Sequence, residues 1–259
     1  MDEQELRAQF AEAEKDEAGR LAREEVCRRV GATLRDGGEL LWVGGYALGT
    51  DRRDGRSPFG FGDDATVGLA TVMQVGAELT QGAVALFDRG GLYAGAALVR
   101  QLVEVEYLAW AFAEDRVEAM DWLRSGKDER LARWQPGRIR KRSGGRFRAS
   151  DYAGHCERGG HPTPRSKALL PGHSQSEPLA MWWLDLAQHA LSAWDYGLAA
   201  SPKLDLDYSD ELAEVAARND LPAVIAAWRE RDPLLALTLE RPWEELTGAP
   251  ATVTSTRAK

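Results

Sequence analysis

The segment GLYAGAALVRQLVEVEYLAWAF, residues 91–112, decides the fold because it is apolar on nearly every side of a helix. One stripe, at steps of three and four, holds Leu92, Ala96, Val99, Val103, Tyr107 and Trp110. The other side of the helix carries Leu98, Leu102, Val105 and Leu108. Arg100, Glu104 and Glu106 interrupt the apolar run, which indicates a buried helix rather than a membrane span. We therefore expect this helix at the centre of a bundle.

Further helices are predicted on both sides of this segment. Upstream, residues 64–89 follow a helical period, with Asp64 as N-cap and Gly90-Gly91 as the end. Downstream, a helix runs from about Arg116 to Trp134 and breaks at Pro136. The tryptophan-rich stretch of residues 179–200 is a strong core helix. Shorter helices begin at Ser209, Asp220 and Pro242.

These elements predict an all-α protein, an antiparallel helical bundle that forms one domain over residues 1–259. Its core comprises about residues 64–230, and an N-terminal surface helix covers about residues 2–34. Gly37-Gly38 end that helix, and a long irregular loop follows near residues 37–63. A glycine- and arginine-rich loop lies near residues 136–150, and the tail, about residues 248–259, is flexible.

Composition limits the classes of function. The chain has 259 residues, a formal net charge of −8 and two cysteines, Cys27 and Cys156. The negative charge argues against nonspecific binding of nucleic acid or membrane by the whole surface. Because the N-terminus has neither a basic nor an apolar leader pattern, we expect a cytoplasmic protein without a membrane span. GFGDD, residues 60–64, is not a phosphate-binding loop, and we expect no cofactor.

One segment is strongly basic despite the overall charge. Residues 130–150 hold eight basic residues and no acidic one, which allows a local contact with phosphate. The residues that would bind RNA there are Arg138, Arg140, Lys141, Arg142, Arg146 and Arg148.

The stretch GHCERGGHPTP, residues 154–164, concentrates two of the four histidines and one cysteine. Its simplest interpretation is a short helix that begins near Ser150 and ends at Gly159-Gly160. Tyr152 and Cys156 then face the core, one turn apart, while His155 and Arg158 lie near the negative end of the helix dipole.

Two kinds of site are alternatives to this interpretation. A zinc site would use His155, Cys156 and His161, with His173 or His189 as the fourth ligand. A cysteine nucleophile would use Cys156 with Asp185 and His189, which are four residues apart on a helix, as the oriented base. The thiol pKa would be lowered by Arg146, Arg148 and Arg158.

The charges in the central helix also need partners. Arg100 and Glu104 are spaced to pair along one face, and Glu106 lies on nearly the opposite side. Because a charge in so apolar a helix must be paired or face a cavity, either a structural ion pair or a polar pocket within the bundle is expected.

The order of LVRQLVEVEYL, DYAGHCERGGHPTP and a tryptophan-rich helix resembles a bacterial, actinobacterial-type family of uncharacterised helical-bundle proteins. The resemblance covers about residues 64–200 and implies a helical bundle. Such bundles are similar to the HEPN superfamily, whose ribonucleases carry an arginine and a histidine with four to six residues between them. Arg148 and His155 match that spacing, although Ala149 and Gly154 depart from the pattern. The resemblance implies His155 as the acid or base and Arg148 as the group that stabilises phosphate charge.

Three functions therefore stay open. The first is a non-enzymatic interaction or structural module that self-associates through an exposed apolar patch containing tryptophan. The second is an RNA-binding protein or metal-independent ribonuclease that uses Arg148 and His155. The third is a metal- or small-molecule-binding bundle that uses His155, Cys156 and His161. Across these hypotheses the catalytic candidates are His155, Arg148, His161, Asp185 and His189.

Overall fold

The structure is a computed structural model that describes residues 8–9, 11–47, 58, 62–170 and 179–240. It is all-α, and these described residues form no strand. Four long helices build the bundle: α1 (Glu17–Ala47), α2 (Asp64–Phe87), α3 (Leu92–Glu114) and α8 (Leu179–Ala200). None of the described helices is both long enough and apolar enough to cross a membrane.

Shorter elements connect and cover the long helices. Between α3 and α8 lie α4 (Arg116–Arg124), α5 (Lys127–Arg133), α6 (Pro136–Arg142), α7 (Ala149–His155), a π-helical turn (Cys156–Gly160) and a 3₁₀ turn (Pro164–Leu169). After α8 come a 3₁₀ turn (Ser201–Lys203), α9 (Ser209–Arg218), α10 (Leu221–Arg231) and α11 (Pro233–Glu240).

Helix α3 occupies the centre of the bundle, as its all-round apolar pattern predicts. It packs against α2 on one side and α8 on the other, while the π-helical turn and α7 cover a third side. Its buried positions therefore come from both apolar stripes, with Val99 and Val103 on one and Leu102 and Val105 on the other. Helix α1 lies across α2 and α8 and completes the core.

The predicted helix stop at Gly37-Gly38 is wrong, because α1 continues through both glycines to Ala47. A Cβ atom on Gly37 would lie 2.9 Å from the Trp194 ring, and one on Gly38 would lie 2.7 Å from the Gln74 side chain. These glycines therefore allow close helix packing rather than a chain reversal. The predicted irregular loop is thus helical over residues 37–47, and residues 48–57 and 59–61 lie outside the described part.

Other boundaries also differ from the sequence prediction. The N-terminal helix is not a surface helix, since its Val26 and Val30 are fully buried. The single helix expected over 116–134 is two helices, α4 and α5, and the loop expected over 136–150 contains α6. Asp63 rather than Asp64 caps α2. Residues 2–7, the helix at Pro242 and the tail 248–259 lie outside the described residues.

The eight tryptophans that the structure describes do not form the exposed patch that self-association was expected to use. All eight are buried or half-buried, and Trp243 lies outside the described residues. The six buried ones are Trp110, Trp134, Trp182, Trp183, Trp194 and Trp228. Their burial is explained by the apolar bundle interior, where aromatic side chains remove the largest area from water.

A buried ion pair attaches the C-terminal helices to α1. Arg23 Nη1 donates to Asp232 Oδ1 at 2.5 Å, and both residues are at most 2% exposed. Asp232 also accepts hydrogen bonds from Trp228 Nε1 and the Leu234 backbone N–H. Burial lowers the pKa of Arg23 and raises that of Asp232, so each charge depends on the other for compensation.

We predict that Arg23→Leu lowers the free energy of unfolding by about 3–5 kcal/mol, because it leaves the Asp232 carboxylate buried without its cation. The matched control is Arg29→Leu, which removes the exposed Arg29–Glu25 pair on the same helix and should change stability by less than about 1 kcal/mol. Urea unfolding monitored by circular dichroism measures both variants. Equal effects of the two substitutions would contradict the prediction.

Candidate metal centre

Three helices bring five ionisable side chains together in the middle of the bundle. Helix α3 contributes Glu106, α7 contributes Asp151 and His155, and α8 contributes Asp185 and His189. On α7 and on α8 the aspartate precedes the histidine by four residues, which places each pair on one helix face. Two Asp-x-x-x-His faces thus meet beside the carboxylate of Glu106.

The imidazoles face each other through their Nε2 atoms, which lie 3.2 Å apart. Asp151 Oδ1 is 3.5 Å from Nε2 of His155, and Asp185 Oδ1 is 3.3 Å from Nε2 of His189. One ligand atom from each of Asp151, His155 and His189 lies within 4.8 Å of the other two. The centre is therefore a convergent set of nitrogen and oxygen donor atoms.

Glu106 holds the ring of His189 in place from behind. Its Oε2 atom lies 2.6 Å from Nδ1 of His189. A carboxylate only accepts, so Nδ1 carries a proton and donates a hydrogen bond to Oε2. This orientation directs Nε2 of His189 into the centre. Of the two alternatives for Glu106, the structure thus shows the paired charge, with His189 as the partner.

His155 is the most deeply buried member, with 2% of its surface exposed. Its Nδ1 atom makes no hydrogen bond, and Asp185 Oδ2 lies 3.5 Å away as an electrostatic neighbour only. The Asp151 side chain is 36% exposed and Asp185 is 25% exposed. The centre is therefore closed around His155 and reaches solvent on the side of the two aspartates.

The carboxylates keep a proton on His189. Burial alone lowers the pKa of His189, but Glu106 and Asp185 outweigh it, and the pKa is raised well above 6.5. Burial raises the pKa of Asp185, yet the two histidines and Arg158 lower it to about 2. Burial of Asp151 is likewise outweighed by the two histidines, and its pKa is lowered. At neutral pH, His189 is a cation beside ionised aspartates.

A second polar network braces α7 against α3. Arg100 and Glu104 form the ion pair that their spacing predicts, with Nη1 and Oε1 2.5 Å apart. The hydroxyl of Tyr152 accepts a hydrogen bond from Arg100 and donates one to Glu104 at 3.0 Å. Because Tyr152 directly follows Asp151, this network positions the start of the α7 face that carries Asp151 and His155.

The π-helical turn after His155 needs a glycine at its contact with α3. A Cβ atom on Gly159 would lie 2.6 Å from the Ala96 carbonyl carbon. The predicted stop at Gly159-Gly160 is confirmed, since His161 is extended. The predicted orientation is confirmed in part: Tyr152 packs against the core, and His155 lies in the last turn of α7. His155 is nevertheless more deeply buried than Tyr152 or Cys156, because α8 packs on the His155 face of α7.

The structure brings together three of the catalytic candidates, His155, Asp185 and His189. Arg148 is exposed at the start of α7, and His161 is exposed after the π-helical turn. Cys156 contacts Arg100 instead. The ligand set found among the described residues includes neither Cys156 nor His161, and His173 lies outside those residues.

The basic residues proposed to bind RNA are partly engaged within the fold. Arg142 pairs with Glu118 at 2.8 Å, and Arg146 donates to the hydroxyl of Tyr196. The Arg140 guanidinium stacks on the Tyr152 ring, while Arg138 and Lys141 are exposed. RNA binding by this segment stays a prediction.

Sequence reasoning missed Asp151 and the role of Glu106. The signal for Asp151 was the Asp-x-x-x-His spacing, which occurs at 151–155 as well as at 185–189. The sequence prediction used only the copy at 185–189, because residues 154–164 were interpreted as a helix end. Glu106 was marked as a buried charge, but no sequence feature names His189 as its partner.

No protein-family model, curated protein or solved structure matches the chain.

The raised pKa of His189 predicts a pH-dependent contribution of Glu106 to stability. In EDTA-treated protein at pH 6, we expect Glu106→Gln to lower the free energy of unfolding by about 1.5–3 kcal/mol, since a hydrogen bond between charged groups is lost. Because the folded pKa exceeds the unfolded value of about 6.5, this contribution is complete below pH 6.5 and is lost as pH rises through the folded pKa.

Urea unfolding at a series of pH values between 6 and 9 measures this contribution. Glu104→Gln is the control on the same helix, because its partner Arg100 stays charged over the whole range. The deficit of Glu106→Gln should shrink with rising pH, whereas that of Glu104→Gln should stay constant. Parallel curves for the two variants would count against the raised pKa.

Proposed function

We propose that this protein binds a divalent transition-metal ion through Asp151, His155 and His189. Glu106 and Asp185 orient the two imidazoles. Three protein ligands leave a coordination position for water or substrate, as in catalytic rather than structural zinc sites. The observation that carries the proposal is the convergence of the three ligand atoms within 4.8 Å of one another.

The spacing of the donor atoms suits a small metal ion. Ligand atoms about 2.1 Å from a tetrahedral zinc ion lie about 3.4 Å from each other. The observed separations are 3.2 Å between the two Nε2 atoms and 3.5 Å between His155 Nε2 and Asp151 Oδ1. Two of the three separations are thus close to this value, and the third, between the ligand atoms of Asp151 and His189, is at most 4.8 Å.

The surroundings of the histidines also support the proposal. A histidine that binds a metal commonly donates its other ring N–H to a carboxylate, which fixes its orientation. Glu106 accepts from Nδ1 of His189 in this way, and Asp185 lies 3.5 Å from Nδ1 of His155. Metal coordination by Nε2 of His155 would require a proton on Nδ1, and Asp185 is placed to accept a hydrogen bond from that N–H.

Charge favours a cation at the centre. Three carboxyl groups surround two imidazoles, and Arg158 is a neighbouring cation that lowers the pKa of Asp185. A divalent ion that displaces the proton of His189 would balance this acidic surplus better than the proton does. Two histidines and carboxylates are ligands for Zn²⁺ and for Fe²⁺.

The geometry supports this function better than metal-independent RNA cleavage by His155 and Arg148. A general acid must reach the substrate, but His155 is 2% exposed and its Nε2 atom faces His189. Arg148 is exposed at the opposite end of α7 from His155.

Metal uptake tests the proposal directly. We expect the EDTA-treated protein, after dialysis against Zn²⁺ or Co²⁺, to retain about one equivalent of metal, and the Co²⁺ form to show the visible absorption of a low-symmetry site. His155→Ala and His189→Ala should abolish uptake, since each removes a ligand. Elemental analysis and cobalt absorption measure the result.

Two controls separate the centre from nonspecific binding. His161→Ala removes an exposed histidine nearby and should leave uptake unchanged. Glu106→Gln should weaken metal affinity about 10–100-fold, because it removes the orienting carboxylate, whereas Glu104→Gln should not. No metal in the wild type, or equal loss in His155→Ala and His161→Ala, would refute the proposed function.

A further inference from the structure

Asp151 is the proposed ligand that its own helix holds least firmly. It lies in the first turn of α7, a helix of seven residues whose N-cap makes no side-chain hydrogen bond. At the start of α7, the hydrogen bond from the Tyr152 N–H to the Arg148 carbonyl is 3.5 Å long, which is long for such a bond. The Asp151 side chain is 36% exposed, against 2% for His155 and 13% for His189. The position of Asp151 therefore depends on contacts with other helices.

The next residue, Tyr152, makes such contacts through its hydroxyl. The hydroxyl accepts a hydrogen bond from Arg100 Nη2 at 2.5 Å and donates one to Glu104 Oε1 at 3.0 Å. Arg100 Nη1 lies 2.5 Å from the same Oε1 atom. Each of the three side chains thus contacts the other two in a closed ring of hydrogen bonds. Because Arg100 and Glu104 both belong to α3, this ring fastens the start of α7 to the central helix.

The aromatic ring of Tyr152 is held independently of its hydroxyl. The guanidinium carbons of Arg100 and Arg140 each lie 5.2 Å from the ring centroid, within the range of a cation–π contact. The centroid of the Tyr107 ring lies 6.1 Å away. Arg140 belongs to α6, so the ring joins α7 to two other helices. A phenylalanine at this position would keep these contacts and lose only the hydrogen bonds.

Two glutamates of α3 act on different sides of the proposed metal centre. Glu106 accepts a hydrogen bond from His189 on α8, and Glu104 accepts one from Tyr152 on α7. Residues two apart on a helix do not face the same direction, so the two glutamates reach two different neighbouring helices. Helix α3 therefore fixes the helix that carries Asp151 as well as the imidazole of His189.

We propose that Tyr152 is a positioning residue of the metal centre, whose hydroxyl, held by Arg100 and Glu104, keeps the Asp151 carboxylate in the ligand set. In this arrangement Asp151 Oδ1 lies 3.5 Å from Nε2 of His155. A ligand must stay within about 0.5 Å of its productive position, and a helix as short as α7 does not provide that precision alone. Without the hydroxyl, the start of α7 moves away from α3, and water replaces the carboxylate at the metal.

This inference rests on the proposed function and names the residue that orders the most exposed ligand of the same centre. Tyr152 itself does not touch the metal. Its effect on metal binding is therefore expected to pass through Asp151 alone.

Tyr152→Phe tests the proposal, because it removes the hydroxyl and leaves the ring. When EDTA-treated protein is titrated with Co²⁺, we expect the variant to bind about tenfold more weakly than the wild type, as on the loss of an outer partner of a metal ligand. Its cobalt absorption should also differ from the wild-type spectrum, since water takes the place of a carboxylate. Glu104→Gln keeps the acceptor atom Oε1 and should bind cobalt like the wild type.

Two control variants separate positioning from a general loss of stability. Tyr196→Phe removes another hydroxyl that accepts a hydrogen bond from an arginine, Arg146, outside the network of Tyr152. Val26→Ala removes buried methyl groups from α1 and lowers stability through a cavity. Both controls should bind cobalt with wild-type affinity and spectrum. Urea unfolding of the metal-free proteins compares the stability of each control with that of Tyr152→Phe.

Failure of this inference is distinct from failure of the proposed function. Weaker binding and a changed spectrum in Tyr152→Phe, but in neither control, support the inference. Wild-type affinity and spectrum in Tyr152→Phe overturn it and leave the metal centre standing, as does an equal loss of affinity in Tyr152→Phe and either control. Wild-type protein that takes up no cobalt overturns the proposed function and this inference together.

Discussion

The carboxylate of Glu106 is the constraint on which the rest of the structure depends. It lies in an apolar helix at the centre of the bundle, where an unpaired charge is strongly unfavourable. His189 supplies the partner at 2.6 Å, and this contact sets the register of α8 against α3. Asp185 lies one turn before His189, on the same face of α8. The positions of His189 and Asp185 in the polar centre thus depend on the pairing of this one buried carboxylate.

Helix α7 contributes to this centre only because α7 and the π-helical turn after it pack closely against α3. The contact of Gly159 with Ala96 leaves no room for a Cβ atom, and the π-helical turn shifts the chain just after His155. π-Helical turns are frequent at functional sites. Arg100, Glu104 and Tyr152 hold the other end of α7 with hydrogen bonds. A helix of seven residues is therefore fixed at both ends, although its own length would not stabilise it in water.

Much of the helical framework was predictable from periodicity. The apolar stripes of α2, α3 and α8 indicated three of the four long helices, and the one-turn spacing of Arg100 and Glu104 indicated their ion pair. One error came from glycine. Gly37 and Gly38 are interpreted locally as a helix stop, whereas they lie inside α1 because Trp194 and Gln74 come too close for any side chain. A local pattern contains no information about how near another helix will come.

By itself the sequence determined that the chain is all-α, that α3 is buried, and that Asp185 and His189 share a helix face. It could do so because these properties depend on residues three and four apart, which a helix places side by side. Only the tertiary structure decided that Asp151, His155 and His189 converge and that Glu106 orients His189. His189 is 34 positions from His155 and 83 positions from Glu106 along the chain, and these contacts depend on how α3, α7 and α8 pack. The physical reason is that helix packing is set by shape complementarity across the whole core. The spacing of residues within one helix does not contain that information.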